Sequence, residues 1–339
     1  MKVVTFGELM VRLEPAGYYR FVQVDTMTST FGGAEANVAV SLANYGMDSV
    51  YVTKLPKHEI GQSAVNNLRR YGVRTDYIVR GGDRIGIYYN ERGASQRGSK
   101  CIYDRAHSAI ADAVPEDFDW KSILSGAAWF HITGVTPALG GNLPDICLEA
   151  CKTAKELGAT VSCDLNYRSK LWTKAQAREV MTKICQYVDV CIANEEDAKD
   201  VFGIEAKDND AVGGHLNKEG YFSVAKQLEE NIGFKKVAIT LRTSINANQN
   251  KWAGLFYDGN DFFFSKEYDM MIVDRLGGGD SFSAGLIYSI LNGNDSQTCL
   301  DFAVAASCLK HSIEGDFNMV SVEEVEKLVA GNATGRIQR

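Results

Sequence analysis

The sequence predicts an α/β protein with a doubly wound, mainly parallel sheet and a small β-sheet lid. Two observations predict the sheet. Apolar runs of strand length alternate with segments whose apolar residues recur at helical spacing. Crossovers of that length make neighbouring strands parallel and place helices on both faces. A third observation predicts the lid: the alternation breaks at 10–25 and 84–105, where the pattern reads as hairpins. The main body is therefore expected over 1–9, 26–83 and 106–339, and the lid over 10–25 and 84–105.

In chain order, Val3 to Glu8 reads as a buried first strand, and Met10 to Asp25, with Pro15 and Gly17, as a partly exposed hairpin. Gly32-Gly33 opens a helix on which Val38, Leu42 and Tyr45 recur at three- and four-residue spacing. Gly33 and Asn37 at its start either face a polar ligand or serve a packing turn and a local cap. Ser49 to Leu55 reads as a strand, Gly61 to Tyr71 as a helix and Asp76 to Val79 as a strand. The second hairpin, Arg84 to Arg105, carries Tyr88, Tyr103 and Arg105, residue types that grip a polar anion. An arginine at a strand end reads equally well as a solvated charge.

The alternation resumes with strand Ala128 to Thr133, a helix near Pro144 to Leu157, strand Thr160 to Leu165, helix Lys174 to Tyr187 and strand Val188 to Ala193. Ligands of such sheets bind beyond the carboxyl ends of the strands. The residues there are polar: Asn166, Tyr167 and Arg168; then Asn194, Glu195, Glu196 and Asp197; then, after Lys236 to Thr240, Arg242. Asn194 and Asp164 would also suit helix caps. The segment 204–220 reads as a polar surface insertion with a solvated His215, Asp301 to His311 as an Ala-rich helix, and 332–339 as a frayed tail.

The stretch Asp274-Arg275-Leu276-Gly277-Gly278-Gly279-Asp280-Ser281-Phe282 carries the most chemistry. An apolar run, Met270 to Val273, precedes it, and helical spacing from Phe282 to Leu291 follows. Three glycines let backbone N–H groups approach a ligand, and a helix N-terminus favours an anion such as phosphate. A carboxylate at that place, Asp280, fits a base that takes the proton of an attacking hydroxyl. Tight packing is the plainer reading of the glycines alone.

The 339 residues are 45% hydrophobic and 23% charged, enough for a substantial core. With 36 Lys+Arg against 43 Asp+Glu, the net charge of -7 and the lack of a basic block argue against nucleic-acid and membrane partners. The eight cysteines form no C-x-x-C pair and read as reduced core thiols. No signal-peptide core and no run of spanning length is present, so a cytoplasmic protein is expected. There is no G-x-x-x-x-G-K-[ST], no nicotinamide fingerprint after the first strand, no zinc spacing and no G-x-S-x-G.

Gly32-Gly33-x-x-x-Asn37-x-Ala39 and Asp274-x-x-Gly277-x-Gly279-Asp280 resemble the two signatures of the ribokinase-like (PfkB) sugar kinases, and the resemblance covers nearly the whole chain. Within that family the sequence is most similar to 2-keto-3-deoxygluconate kinases, through 33–38, 132–139, Tyr103-Asp104-Arg105, and Asp164 to Arg168 with Leu171-Trp172. The resemblance implies ATP and Mg2+ as cofactors and a sugar acid as substrate; a lid that leaves a sheet edge and an apolar face exposed predicts a homo-oligomer formed through the lid. The resemblance implies that Gly33, Asn37, Tyr88, Tyr103, Arg105 and Arg168 hold the sugar acid, with the two arginines on its carboxylate and keto end. Asn166, Asn194, Thr240 and Arg242 would line the nucleotide site. Gly277, Gly278 and Gly279 would form an anion hole beside the base Asp280, and Asp197 would reach magnesium through water. It also implies a monovalent cation near the second signature. Two positions depart from the usual pattern: Asp197 stands for glutamate and Arg275 for threonine. An Asp280 of ordinary pKa, about 4, would be a weak base that receives its proton late. A kinase for a neutral sugar, a catalytically silent sugar-acid sensor and, more remotely, a nicotinamide dehydrogenase are the alternatives.

Overall fold

In the computed structural model the chain is described over residues 1–194, 196–206 and 218–332. Glu195, most of the 204–220 segment with His215, and the tail beyond 332 lie outside the described residues. The strands are β1 (Lys2–Phe6), β2 (Met10–Glu14), β3 (Thr28–Gly32), β4 (Asp48–Leu55), β5 (Ile78–Arg80), β6 (Gly86–Glu91), β7 (Lys100–Asp104), β8 (Ala127–Thr133), β9 (Thr160–Asp164), β10 (Val190–Asn194), β11 (Lys236–Asn246), β12 (Gln249–Tyr257), β13 (Phe262–Phe264) and β14 (Tyr268–Met271).

Ten of them form the main sheet, in the order β13-β12-β11-β10-β9-β8-β1-β4-β5, with β14 also paired to β12. From β11 across to β5 every pairing is parallel, while β12 adds an antiparallel edge. The chain leaves β1 toward β4 on one side and returns to β8 on the other. This reversal is a topological switch point, where open α/β sheets leave a crevice. The strands alternate between two cores, as a period of two requires. Val4 and Phe6 of β1, Phe130 and Ile132 of β8 and Val161 and Cys163 of β9 face one helical layer, with Ile146, Met181 and Leu228. Val3, Trp129 and Ala238 face the other, with Val38, Phe282 and Val304. The parallel sheet and its two helical layers are as the sequence predicts.

The smaller sheet has the order β3-β2-β6-β7. It takes in β3, from a segment that the sequence reading leaves with the main body, because β3 pairs antiparallel with β2 over Met10↔Gly32 to Glu14↔Thr28. The strand expected at 270–273 also differs: β14 ends at Met271 and pairs with β12, so the glycine turn is entered from the antiparallel edge. No helix among the described residues is long and apolar enough to cross a membrane.

One buried ion cluster ties the small sheet to the body. The Arg12 guanidinium of β2 is 0% exposed and donates to Asp316 Oδ1 (2.7 Å), to Asp274 Oδ2 (2.6 Å) and to Glu14. Arg92 donates to Glu14 Oε1 at 2.5 Å, and the Tyr88 hydroxyl to Asp316 Oδ2 at 2.7 Å. Burial alone would lower the Arg12 pKa, but Asp316 and Asp274 more than reverse this and hold it firmly charged. Removing one member of such a cluster leaves buried charge of the opposite sign uncompensated. Arg12→Leu is therefore expected to cost about 3–5 kcal/mol in urea denaturation; a loss below about 1 kcal/mol would show that the cluster does not bind the two sheets together.

Candidate active site

The parallel strands deliver polar residues to one end of the sheet. Glu8 follows β1, Asp164 closes β9 with Asn166 beyond it, Asn194 closes β10, and Thr240 and Arg242 lie in β11. These side chains share a cavity of about 620 Å³ with Tyr88, Tyr103 and Arg105 of the small sheet. Gly33 and Asn37, from the start of the helix Ala34–Asn44, and Gly277, Gly278, Gly279 and Asp280, from the start of the helix Gly278–Leu291, complete it together with Arg168 and Asp197. The residues assigned to the sugar acid, the nucleotide, the anion hole, the base and magnesium thus line one cavity, whereas Tyr167 does not line it and Glu195 lies outside the described residues.

The three glycines are not equivalent. Gly277 has φ +81°, and a Cβ there would lie 2.0 Å from the Asp316 carbonyl oxygen. A Cβ on Gly278 would lie 2.3 Å from the His311 ring, whereas Gly279 has open space. The first two allow close packing; the third leaves the cavity side open. The helix begins here, so its first-turn N–H groups have no partner within the helix.

Asp280 is half-buried, and its Oδ2 accepts a 2.7 Å hydrogen bond from Asn37 Nδ2. Asn37 Oδ1 in turn accepts from the Gly33 N–H at 3.3 Å. Asn37 therefore orients the carboxylate, a third outcome beside the ligand contact and the cap read from the sequence. Burial pushes the Asp280 pKa up to about 7; the Asn37 bond opposes the rise, and Asp316 and Glu35 add to it. This replaces the ordinary value expected from sequence and makes Asp280 a stronger base near neutrality. Asp164 is held well above the usual carboxylate range by burial, then by the charges of Asp197 and Asp280.

Several side chains are already engaged. Both Asp197 oxygens accept backbone N–H bonds at 3.0 Å, from Tyr167 and Asn194, so the carboxylate braces two loops. Burial nevertheless raises its pKa. Asn194 Oδ1 accepts from the N–H groups of Glu196 (2.8 Å) and Asp197 (3.1 Å), as a cap. Thr240 Oγ1 donates to the Ala193 carbonyl at 3.4 Å, and Asn166 sits in the left-handed region at φ 39°. Arg105, expected to be free for a substrate carboxylate, donates through Nε to Glu8 Oε2 at 2.7 Å and through Nη2 to the same oxygen. Its guanidinium lies 5.2 Å from the Tyr103 ring centroid, and Tyr103 stacks on Tyr88 at 5.9 Å. The Tyr88 hydroxyl is taken by Asp316, whereas Arg168 is exposed and, among the described residues, bonds only the Tyr167 carbonyl at 3.0 Å.

Residues 1–319 match the pfkB family carbohydrate kinases. The chain belongs to that family. It is a sugar kinase, a phosphotransferase. A solved 2-dehydro-3-deoxygluconokinase from Thermotoga maritima is 54% identical, with 98% of each chain covered and a TM-score of 0.94. A 2-dehydro-3-deoxygalactonokinase from Haloferax volcanii is 32% identical over 98% of each chain. A putative ribokinase II from E. coli, solved in complex with ATP and Mg2+, is 21% identical with a TM-score of 0.81, covering 97% of this chain and 99% of its own, and shares the fold.

For this pfkB kinase the sequence reading passes over Glu8, Glu35 and Asp316 as cavity residues, and it reads Asp164 only as a cap. Glu35 gave a usable signal, a charged residue in an otherwise small and apolar helical turn. It is buried, and its Oε1 accepts from the Thr133 N–H (3.0 Å), Thr133 Oγ1 (2.8 Å) and Thr136 Oγ1 (2.7 Å). Removing the Asn37 donor should move the Asp280 pKa above about 7, and an NMR titration of the carboxylate carbon in Asn37→Ala checks this; an unchanged or lower value would deny Asn37 that role. Gly277→Ala, strained at positive φ and blocked by Asp316, is expected to destabilise by more than about 1 kcal/mol, again by urea denaturation.

Proposed function

We propose that this kinase transfers the γ-phosphoryl group of ATP to the primary hydroxyl of 2-keto-3-deoxygluconate, giving 2-keto-3-deoxy-6-phosphogluconate, with Asp280 as base. The observation that carries the reading is Asp280 itself: a carboxylate with a pKa near 7, aimed by Asn37, in the first turn of a helix that opens on an unobstructed glycine. The names of the Thermotoga and Haloferax relatives support a keto-deoxy sugar acid as the substrate class.

Gly33, Tyr103, Arg105 and Arg168 face the acid, while Asn37 and Tyr88 act behind them on Asp280 and Asp316. Arg168 offers the free guanidinium for the carboxylate, and Arg105 offers its remaining N–H groups once Glu8 is served. Asn166, Asn194, Thr240 and Arg242 line the nucleotide side, and the N–H groups of Gly277, Gly278 and Gly279 form the anion hole. Asp280 accepts the hydroxyl proton as the oxygen attacks phosphorus.

For magnesium the donor chemistry fits. Asp164 and Asp197 are hard oxygen donors, and the buried Asp164 feels the charges of Asp197 and Asp280, which a cation would offset. Asp164 and Asp197 would hold it through water, and it would supply neutralisation of phosphate charge. For a monovalent cation beside Asp274 the residues do not fit. That carboxylate already accepts from Arg12 and from the N–H groups of Gly315 and Leu276, and the buried Lys310 ammonium adds its charge. The surface groove lined by Phe31, Ile87 and the 52%-exposed Ile60, beside the small sheet, supports pairing with a second copy, which light scattering after gel filtration would test.

ADP release from MgATP should appear with 2-keto-3-deoxygluconate, or with its galactonate epimer, and be absent with gluconate, fructose and ribose. Asp280→Asn should lower kcat by about 100- to 10,000-fold and leave ATP affinity nearly unchanged; turnover close to that of the parent would overturn the assignment. Because Asp280 must be ionised in the free enzyme, log kcat/KM should fall with slope 1 below about pH 7. An acid limb near pH 4 would mean that Asp280 keeps an ordinary pKa.

A further inference from the structure

Arg275 occupies a singular place on the cavity wall. It follows Asp274, which Arg12 pins, and lies two residues before Gly277. Its side chain is half-buried and lines the cavity. Its one hydrogen bond among the described residues runs from Nη2 to Oδ1 of the fully buried Asn250, at 3.3 Å. A neutral acceptor fixes a guanidinium without neutralising it. Arg242, on the same wall, is near enough to lower the Arg275 pKa further, after burial. Among the described residues neither arginine has a carboxylate within ion-pair distance, although acids outnumber bases in the chain. Arg275 is thus held half-buried near an exposed Arg242, with no carboxylate counter-ion among the described residues, an arrangement that a multivalent anion would complete.

We propose that Arg275, with Arg242, is a guanidinium clamp for the terminal phosphate of the nucleotide, and that Arg275 is a catalytic residue contacting the transferring phosphoryl group. The proposal rests on the kinase reading of this cavity and adds a residue to it. Arg275 lines the same cavity as the open Gly279 and Asp280 and lies five residues before Asp280, so its long side chain is placed to meet a phosphoryl group held at the first-turn N–H groups. The bond from the substrate oxygen to phosphorus forms as the bond from phosphorus to the bridging oxygen of ADP breaks. The hydroxyl proton goes to Asp280, and the electron pair leaves with ADP. A planar fork of donors matches the equatorial oxygens on which charge gathers in that step, so its effect is greater in the transition state than in the ground state.

The test measures binding as well as turnover. Calorimetry gives the affinities of wild type, Arg275→Met and Arg275→Lys for ADP and for a non-hydrolysable ATP analogue, and single-turnover kinetics gives the transfer rate. Arg275→Met should bring the analogue's affinity at least tenfold closer to that of ADP, leave ADP affinity within twofold, and slow transfer about 100-fold or more. Arg275→Lys should recover part of the rate. The melting temperature of the ligand-free Arg275→Met protein should stay level or rise, because a like-charge contact has been removed; a purely structural arginine would lower it. Should that variant melt early, Arg242→Met, which leaves the Asn250 bond intact, should still narrow the gap between ADP and the analogue. An unchanged gap in both variants overturns the clamp. Failure of the wild type to bind either nucleotide would instead overturn the kinase reading of the cavity.

Discussion

The buried guanidinium of Arg12 is the constraint on which the working end of the molecule depends. It belongs to β2, yet its partners Asp274 and Asp316 belong to the segments that lead into the glycine turn and pack beneath it. Asp316 also receives the Tyr88 hydroxyl from β6, and its carbonyl lies where a side chain on Gly277 would go. One ion cluster therefore fixes the small sheet, the entry to the turn and the floor of the turn relative to one another. The charge is balanced locally: Arg12, Arg92 and Lys310 stand against Glu14, Asp274 and Asp316. Balance of this kind lets six ionisable groups stay inside at a cost the surrounding core can offset.

The cavity above that cluster is built the opposite way. Burial raises the pKa values of Asp164, Asp197 and Asp280, with the charges of Asp197 and Asp280 adding to the rise at Asp164, and burial and then Arg242 lower that of Arg275. Apart from the Arg105–Glu8 pair, three of these charges are held by something neutral. Asp197 is held by two backbone N–H groups, Asp280 by the Asn37 amide, and Arg275 by the Asn250 carbonyl oxygen. Neutral tethers fix position and leave charge unspent. The pKa of Asp280 near 7 follows from burial within the same construction, since among the described residues no cation is bonded to it.

Much of this was legible in the sequence, for a physical reason. A glycine turn before a helix, a polar residue after each strand and a change from period 3.6 to period 2 are local patterns, and they placed the parallel sheet and every cavity residue named from them. What stayed hidden were partnerships across the chain. Arg105 reads as a free cation until Glu8, 97 positions away, is folded against it. Asn37 reads as a cap or a ligand group until Asp280, 243 positions away, receives its amide. Arg12 reads as one residue of a partly exposed hairpin, although its partners lie 262 and 304 positions on. The antiparallel edge was missed because β12 through β14 are recognisable chiefly by the register they share, and β3 was misplaced because only its pairing with β2 assigns it to the small sheet.

The two electrostatic designs are connected, and the connection explains why they must be adjacent. Unspent charges at the cavity are useful only if their positions do not relax when no ligand is bound. The neutral tethers alone are weak, each about 1 kcal/mol net, so they could not resist like-charge repulsion on movable loops. Asp274 joins the two systems, because its carboxylate is locked to Arg12 while the next residue along the chain is Arg275. Asp316 does the same on the other side, bonded to Arg12 and packed under Gly277, three residues before Asp280. The saturated cluster thus supplies the rigidity that the unsaturated cavity lacks. A change that only loosened the cluster would be felt in the cavity as a loss of placement rather than of charge, so catalysis would suffer without the removal of any group that touches the reactants.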